Sequence, residues 1–299
     1  MITFSRFRKR FGPHVAVEDL SLQVRRGESL ALLGPNGSGK STTLKAAAGL
    51  IRPTSGEVLL GEPGEQASRP SARTLVSFLP QRVTFPDALT GRDVIEFYRR
   101  LRGAAPARTI EALRFASLNG AADRAVGTYS GGMTQRLGLA VAVLPAAPVF
   151  LLDEPTAALD PDGLAAFYLL VERHAAEGRT VLFTSHQLGD AERLADRFAI
   201  LVAGRLVSVL TQRELRDRLA ERGVMRVRLG GSPAAVLDRV RAVAPGTFVD
   251  VDELVIPGPP SVRPAALDAV RLAAVEIRGL TSEEGRLDAF YRELIGDST

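Results

Sequence analysis

Cysteine is absent from the 299 residues, and histidine and methionine occur three times each. The missing thiols exclude disulfides, thiolate metal sites and a catalytic cysteine, and they are compatible with a reducing compartment. The histidines stand at 14, 174 and 186 and the methionines at 1, 133 and 225. Because these residues are scattered, the sequence offers no cluster of ligands that suits copper.

A long uninterrupted hydrophobic run is also missing. The longest apolar stretch, 137–152, contains Pro145 and Pro148 and is followed by Asp153. It is too broken to span a bilayer, and the N-terminus lacks the apolar core of a secretory signal, so we expect a chain that is soluble by itself. The net charge of +4 permits an anionic partner, although solvated arginine-rich faces explain such a charge more often.

Lysine is scarce and occurs at 9, 40 and 45 only. Lys40 lies in residues 34–42, which contain the pattern G-x-x-x-x-G-K-[ST] between a predicted strand at 28–33 and a predicted helix at 42–48. In that context the glycine-rich backbone and the helix N-terminus surround phosphate groups, and the lysine and the following hydroxyl reach the phosphates and Mg²⁺. The alternative is a plain glycine-rich turn. We interpret the stretch as a nucleoside triphosphate site.

The rest of the pattern predicts an α/β protein with a P-loop core. Strands are expected at 57–60, 75–81, 149–152 and 180–184, a hairpin around Gly204, and a helical block at about 85–145. The strand at 149–152 ends on Asp153 and Glu154, which in a parallel sheet would face the phosphates. Beyond about 215, short strands and helices predict a small α+β domain that closes on an amphipathic helix at 281–294.

A set of ordered segments in the first 210 or so residues resembles the ATP-binding subunits of ABC transporters. Besides the phosphate loop and the two carboxylates, they are the signature-like run Tyr129–Arg136, Gln81 at the Q-loop, Ala158–Asp160 at the D-loop, His186 at the switch position and Phe11 at the adenine-stacking position. Singly, each has a plainer interpretation: Phe11 as a core residue, Gln81 as a loop residue, Asp160 as a helix cap, and His186 as a surface or capped residue. The ordered set favours the family.

The resemblance implies a role for each matching residue. Glu154 polarises the attacking water, assisted by His186 and Gln81. Mg²⁺ is held by Ser41, Gln81 and Asp153. ATP is bound by Phe11, Gly34, Pro35, Asn36, Gly37, Ser38, Gly39, Lys40, Ser41, Thr42, Ser130, Gly131, Gly132 and Asp160. Ser130 and Gly132 act on the nucleotide of a second copy.

The signature-like run departs from the family's LSGGQ pattern at both ends. Tyr129 replaces the leading leucine and Met133 the final glutamine, while Gly131 and Gly132 keep their backbone donors. We therefore expect the anion site to persist, and communication from the signature to neighbouring loops to differ.

A narrower resemblance, in residues 80–92, 127–130 and the C-terminal extension, is to NosF-type ATPases of ABC-2 exporters that mature the copper site of nitrous-oxide reductase. It implies a periplasmic accessory protein. The broader family resemblance implies a second copy, permease subunits on separate chains, no nucleic acid, and a place on the cytoplasmic face of the inner membrane. The change of pattern near 215 predicts a cassette at 1–214 and an accessory domain at 215–299.

Two other classes of nucleotide-binding protein fit the sequence less well. A GTPase would carry Asn-Lys-x-Asp, which is absent. Soluble ABC-type ATPases acting on nucleic acid or ribosomes carry paired cassettes, coiled-coil insertions or zinc modules, none of which the sequence indicates. An ABC exporter of another substrate, such as a drug or a lipid, stays open beside the copper-site assignment.

Overall fold

The computed structural model describes residues 1–118, 120–186, 188–283, 285 and 290. The chain divides into two compact units, Met1–Val209 and Leu210–Thr299. The sequence places its domain boundary between 214 and 215.

The first unit alternates strands and helices. Its elements in chain order are β1 (Ile2–Phe11), β2 (His14–Val24), β3 (Ser29–Leu33), α1 (Lys40–Ala47), β4 (Ser55–Leu60), β5 (Glu65–Gln66), β6 (Val76–Leu79), α2 (Gly91–Leu101), α3 (Ala107–Ala116), α4 (Gly131–Val143), β7 (Val149–Leu152), α5 (Pro161–Ala176), β8 (Thr180–Thr184), α6 (Leu188–Leu194), β9 (Arg197–Val202) and β10 (Arg205–Thr211). The predicted helical block at about 85–145 contains α2, α3 and α4, and its buried side chains form a hydrophobic cluster.

A six-stranded sheet with the order β10-β9-β3-β8-β7-β6 lies at the centre of this unit. Strands β3, β7 and β8 are buried at every position, as expected of parallel strands covered on both faces. Because β6, β7, β8 and β3 run parallel, their carboxyl ends meet at one edge of the sheet. The residues that follow these four strands are therefore brought together there.

A second sheet is antiparallel, with the order β2-β1-β4-β5. Strands β1 and β2 form a long hairpin in which Phe11 pairs with His14. The sequence predicted a connecting segment at 9–12, but Lys9 and Phe11 lie in β1, and the turn begins at Gly12, whose φ is 58°. Cross-strand pairing with β2 extends the strand to the turn glycine, beyond the short apolar alternation that marked its start.

The second unit is a β-α-β-β-α-β arrangement preceded by a helix. Its elements are α7 (Gln212–Ala220), β11 (Val224–Leu229), α8 (Ala234–Arg241), β12 (Phe248–Asp250), β13 (Glu253–Pro257), α9 (Arg263–Arg271) and β14 (Ile277–Glu283). The antiparallel sheet has the order β12-β13-β11-β14, which is the split βαβ topology of ferredoxin-like domains. Its own hydrophobic core includes residues from β11, β13, α8 and α9, so the prediction of an α+β fold is confirmed.

The predicted C-terminal helix at 281–294 is wrong at its start. Residues 281–283 belong to β14, where Thr281 pairs with Arg226 of β11. Pairing with a neighbouring strand overrides the local helical pattern. Apart from 285 and 290, the remainder of that prediction lies outside the described residues. Across the part of the chain that the structure describes, no helix is both long and apolar enough to cross a membrane.

Candidate active site

The phosphate loop joins β3 to α1 at the carboxyl edge of the parallel sheet. Gly34 has a φ of 149°, and a Cβ there would collide with the carbonyl oxygen of Leu201. Gly39 caps α1 with a φ of 98°, and a Cβ would lie 2.6 Å from the carbonyl oxygen of Ala16. Only glycine fits these two positions without strain. The loop is thereby shaped so that backbone groups and the start of α1 face one cleft.

Lys40 is 5% exposed and lies inside this loop. Its ammonium donates hydrogen bonds to the carbonyl oxygens of Gly34 at 2.7 Å and Pro35 at 3.1 Å. Burial lowers the pKa of Lys40 below its ordinary value, and the carboxylates of Glu154 and Asp153 oppose that shift. A desolvated ammonium of this kind binds phosphate oxygens strongly, because little water has to be displaced.

Ser38 adds an observation that favours an anionic ligand. Its hydroxyl is buried, and among the described residues it has no hydrogen-bond partner. A buried donor without a partner costs free energy unless a ligand completes it. Ser38 lines the same cleft as Lys40.

Asp153 follows β7 and is 1% exposed. One carboxylate oxygen, Oδ1, accepts hydrogen bonds from the Ser41 hydroxyl at 2.9 Å and the Thr184 hydroxyl at 2.8 Å. Asp153, Ser41 and Thr184 thus join the ends of β7 and β8 to the first turn of α1. Sequence reasoning missed Thr184; the available signal was its place at the end of a buried strand, two residues before His186.

Glu154 is the point on which several predicted residues converge. Its Oε2 accepts a hydrogen bond from the Gln81 amide at 2.9 Å and lies 3.5 Å from Nδ1 of His186. Its backbone N–H donates to the Thr184 hydroxyl at 2.7 Å. The backbone of Glu154 has a φ of 47°, a left-handed conformation that costs a non-glycine residue about 1–3 kcal/mol and recurs at functional sites.

These groups border an open cleft of about 440 Å³. The lining contains Phe11, His14, Ala16, Gln81, Glu154 and the residues Asn36, Gly37, Ser38, Gly39, Lys40, Ser41 and Thr42. Phe11 is 49% exposed, so it is not the core residue of the plainer interpretation. A flat, exposed aromatic ring suits stacking on a purine base, and the Lys9 ammonium lies 4.9 Å from the centre of the Phe11 ring.

His14 and Ala16 were missed by sequence reasoning. Neither residue belongs to a motif, and the pairing of Phe11 with His14 brings them beside the phosphate loop. The turn at Gly12 and Pro13 was the available signal, because a tight hairpin there returns the chain past Phe11.

Residues 130–132 and Asp160 lie elsewhere in the first unit and are not among the residues that line the cleft. Ser130 caps α4 and accepts a hydrogen bond from the backbone N–H of Met133 at 3.2 Å. Asp160 caps α5 by accepting from the N–H of Gly163 at 2.9 Å, as the plainer interpretation expected. A Cβ on Gly132 would lie 3.1 Å from the carbonyl oxygen of Ala158, so the two segments adjoin.

One chain therefore carries two groups of predicted residues. The first is a cleft with a phosphate loop, a buried lysine and two carboxylates at the carboxyl edge of a parallel sheet. The second is the N-terminus of α4, whose backbone donors point away from the helix body. The first group defines the class of protein as a P-loop nucleoside triphosphatase.

Comparison with known proteins narrows the class. Residues 17–157 match the ABC transporter family. The daunorubicin resistance ATP-binding protein DrrA3 of Streptomyces coeruleorubidus is 34% identical over 99% of this chain and 96% of its own length. The Nod factor export ATP-binding protein I of Burkholderia orbicola is 37% identical over 85% of this chain and 84% of its own length. The linearmycin resistance ATP-binding protein LnrL of Bacillus subtilis is 30% identical over 85% and 83%.

Solved structures of ABC transporter cassettes are similar in fold to most of this chain. An ATP-binding subunit of an ABC transporter superposes with a TM-score of 0.67 at 28% identity, covering 73% of this chain and 92% of that one. A dimeric ATP-binding cassette in a post-hydrolysis state, bound to ADP and Pi, gives a TM-score of 0.65 at 26% identity, covering 71% and 99%. The chain belongs to the ATP-binding subunits of ABC transporters, and it is an ATPase of that family. The predicted fold class and enzyme class are confirmed.

Proposed function

We propose that this chain is the ATP-hydrolysing subunit of an ABC-2-type exporter, working as a pair of copies on separate permease subunits. The convergence of Gln81, His186 and Thr184 on Glu154, beside a buried lysine in a phosphate loop, is the observation that carries the proposal. The relatives named for drug resistance and Nod factor export support the exporter assignment.

Lys40 and the loop Gly34–Thr42 hold the β- and γ-phosphates in this proposal. Mg²⁺ would be held by Ser41, Asp153 and Gln81, together with phosphate oxygens. The residues fit such an ion: adjacent ligands of an octahedral Mg²⁺ are about 2.9 Å apart, and the Ser41 hydroxyl lies 2.9 Å from Oδ1 of Asp153. When bound, the ion neutralises charge on the transferring phosphoryl group.

Glu154 would orient and polarise the attacking water, while Gln81 and His186 hold its carboxylate at the cleft. Its strained backbone fixes the direction of the side chain. Phosphoryl transfer depends on positioning and electrostatics, so a carboxylate held by two neighbouring side chains suits the task. Phe11, which lines the same cleft, would stack on adenine.

Two copies would close head to tail over two ATP molecules. Ser130, Gly131 and Gly132 of one copy then complete the phosphate site of the other, with Asp160 at the shared boundary. The separation of the two groups within one chain supports this arrangement, because residues 130–132 and Asp160 are not among the residues that line the cleft. A dimeric state is described for a structural neighbour at 27% identity.

The cassette would comprise residues 1–214, and residues 215–299 would form an accessory domain. We place the permease docking surface on the loop 82–92 and the helices at 92–118, and the assembly on the cytoplasmic face of the cell membrane.

Capture of the tagged chain from native membranes should recover a multi-span membrane protein. Recovery of ribosomes or nucleic acid without a membrane protein would overturn the transport assignment.

The narrower NosF-type assignment, with its periplasmic partner and copper-site role, stays a prediction. The relatives reported above are named for drug resistance or Nod factor export. They favour an export role over a copper-site role. A copper-site assembly factor recovered beside the permease would support the narrower assignment instead.

Glu154→Gln tests the catalytic site. We expect ATP affinity to be kept and kcat to fall about 100-fold or more, since a positioned base contributes that much. The variant should also accumulate an ATP-dependent dimer by size exclusion. Glu172→Gln, a half-exposed carboxylate on α5, is the matched control and should hydrolyse ATP like the parent. Parental hydrolysis by Glu154→Gln would remove Glu154 as the base.

A further inference from the structure

Asp190 is a buried carboxylate that the proposed catalysis does not use. It lies in the first turn of α6 and is 6% exposed. Its Oδ2 accepts a hydrogen bond from the Thr156 hydroxyl at 2.6 Å, and its Oδ1 accepts one from the Tyr168 hydroxyl at 2.5 Å. Both distances are typical of strong hydrogen bonds to an ionised oxygen. Three segments, the loop after β7, α5 and α6, therefore meet on one carboxylate.

Thr156 is separated from Glu154 by Pro155 alone. On its N-terminal side Glu154 is held by its N–H bond to Thr184. On its C-terminal side the Pro155 carbonyl oxygen accepts a hydrogen bond from the Gln135 amide at 3.3 Å, and the Thr156 hydroxyl donates to Asp190. A backbone with a φ of 47° keeps that conformation only where its surroundings over-determine it. The bond from Thr156 to Asp190 is one of these three restraints.

The position of Asp190 along the chain also matters. It lies just beyond His186, on the helix that begins at Leu188. The same carboxylate thus fixes the loop that carries Glu154 and the start of the helix that follows His186, the two residues whose side chains approach within 3.5 Å. A displacement of either segment would change that distance.

Tyr168 holds the Asp190 carboxylate in place from the side of α5. Burial, together with the bond to Asp190, raises the pKa of Tyr168 to about 12, so the phenol stays protonated and donates throughout the physiological range. The guanidinium of Arg193 packs over its ring at 4.1 Å and is itself 3.4 Å from Glu172. Burying a carboxylate is unfavourable unless its hydrogen bonds are made, which favours a specific role over simple packing.

We propose that Asp190 is a positioning residue for ATP hydrolysis, which holds the Glu154 loop and the His186 segment in register through Thr156 and Tyr168. The inference rests on the proposed role of Glu154. Asp190 contacts neither the cleft nor the reacting atoms, so it acts through these neighbours.

Thr156 offers a matched pair of variants in the full-length chain. Thr156→Val keeps the shape and removes the hydroxyl, whereas Thr156→Ser keeps the hydroxyl. We expect Thr156→Val to lower kcat about 10- to 100-fold, as small misplacements of a catalytic group do, with the ATP KM changed less than about threefold. Thr156→Ser should restore most of kcat. Tyr168→Phe should lower kcat in the same sense, and Tyr98→Phe, the same change on α2, should not.

A double-mutant cycle between Thr156 and Asp190 supplies a second measurement. In an Asp190→Asn background, adding Thr156→Val should cost little further activity, because both changes break the same bond. If Asp190→Asn does not fold, Thr156→Val and Tyr168→Phe carry the test alone.

Two outcomes would overturn the inference. One is a parental kcat for Thr156→Val, with or without a lower melting temperature, which would make the network merely structural. The other is a raised KM with an unchanged kcat, which would assign the network to binding. The proposed function fails separately, if the parent does not hydrolyse ATP or Glu154→Gln hydrolyses it normally.

Discussion

The surroundings of His174 determine whether its ring carries a charge. It lies on α5, is 5% exposed and packs edge-on against Phe150 at 5.1 Å. Its Nδ1 has no hydrogen-bond partner among the described residues. Burial, and then the charges of Arg179, Arg173 and Arg108 against that of Glu177, lower its pKa to about 4. The ring is therefore neutral in the folded protein.

The pKa predicts an acid-dependent loss of stability. Because the folded value lies below the ordinary 6.5, protons bind the unfolded chain preferentially as pH falls from about 6.5 to 4. Between pH 7.5 and 4.5 the free energy of unfolding should fall by about 2–3 kcal/mol from this group. Urea titrations of His174→Leu should show a pH dependence smaller by that amount. Val171→Ala, a buried change on α5 that removes no titratable group, is the control and should keep the parental pH dependence. An unchanged acid slope in His174→Leu would contradict the assignment.

At the scale of a secondary-structure element, the surroundings of the N-terminus of helix α4 determine its role. The run at 130–133 was recognised as a signature, and the structure makes its first residue the N-cap of a 13-residue helix. The following glycines leave the first N–H groups of the helix uncovered. A helix end of this kind both needs its cap for stability and presents donors to an anion.

Substitutions at Ser130 should separate those two tasks. Asn and Asp are as good at an N-cap as Ser, whereas Ala costs about 1 kcal/mol. We expect Ser130→Asn and Ser130→Asp to keep the melting temperature. Only Ser130→Asp brings a negative charge toward the γ-phosphate of the other copy, so it should lose ATP-dependent dimerisation and hydrolysis while each copy still binds ATP. Equal activity of the Asp and Asn variants would exclude a phosphate-facing role for this helix end.

At the scale of the whole molecule, the first unit combines a nucleotide-binding core with a helical block whose surface is partly apolar. Phe97 and Leu101 on α2 are 58% and 65% exposed, and they adjoin charged residues of the same helix. The capping box at Thr90 and Asp93 holds the start of α2. A rigid helix with exposed aromatic and aliphatic side chains suits a protein partner.

Phe97→Asp should therefore separate assembly from catalysis. We expect the purified chain to hydrolyse ATP within about twofold of the parent, as surface substitutions do, while the permease no longer co-purifies from membranes. Leu169→Asp, at a 65% exposed position of α5, is the matched control and should retain the permease. Normal recovery with Phe97→Asp would move the docking surface elsewhere.

The sequence by itself determined the features that depend on neighbouring residues in the chain. The phosphate loop, the carboxylates after β7 and the fully buried strands were predictable because each depends on residues adjacent in the chain. The helical block and the hairpin around Gly204 followed from periodicity and a turn glycine for the same reason. Local steric and hydrophobic patterns suffice for such features.

Tertiary structure decided which of these segments meet. Thr184, His14 and Asp190 carry no motif, and each gains its contacts because parallel strands end at one edge or a hairpin folds back. Thr281 fell in a strand against its helical pattern, since β11 offered hydrogen-bond partners that a local periodicity does not encode. Contacts between residues distant in the chain depend on how the elements pack, and a single sequence records that packing only indirectly.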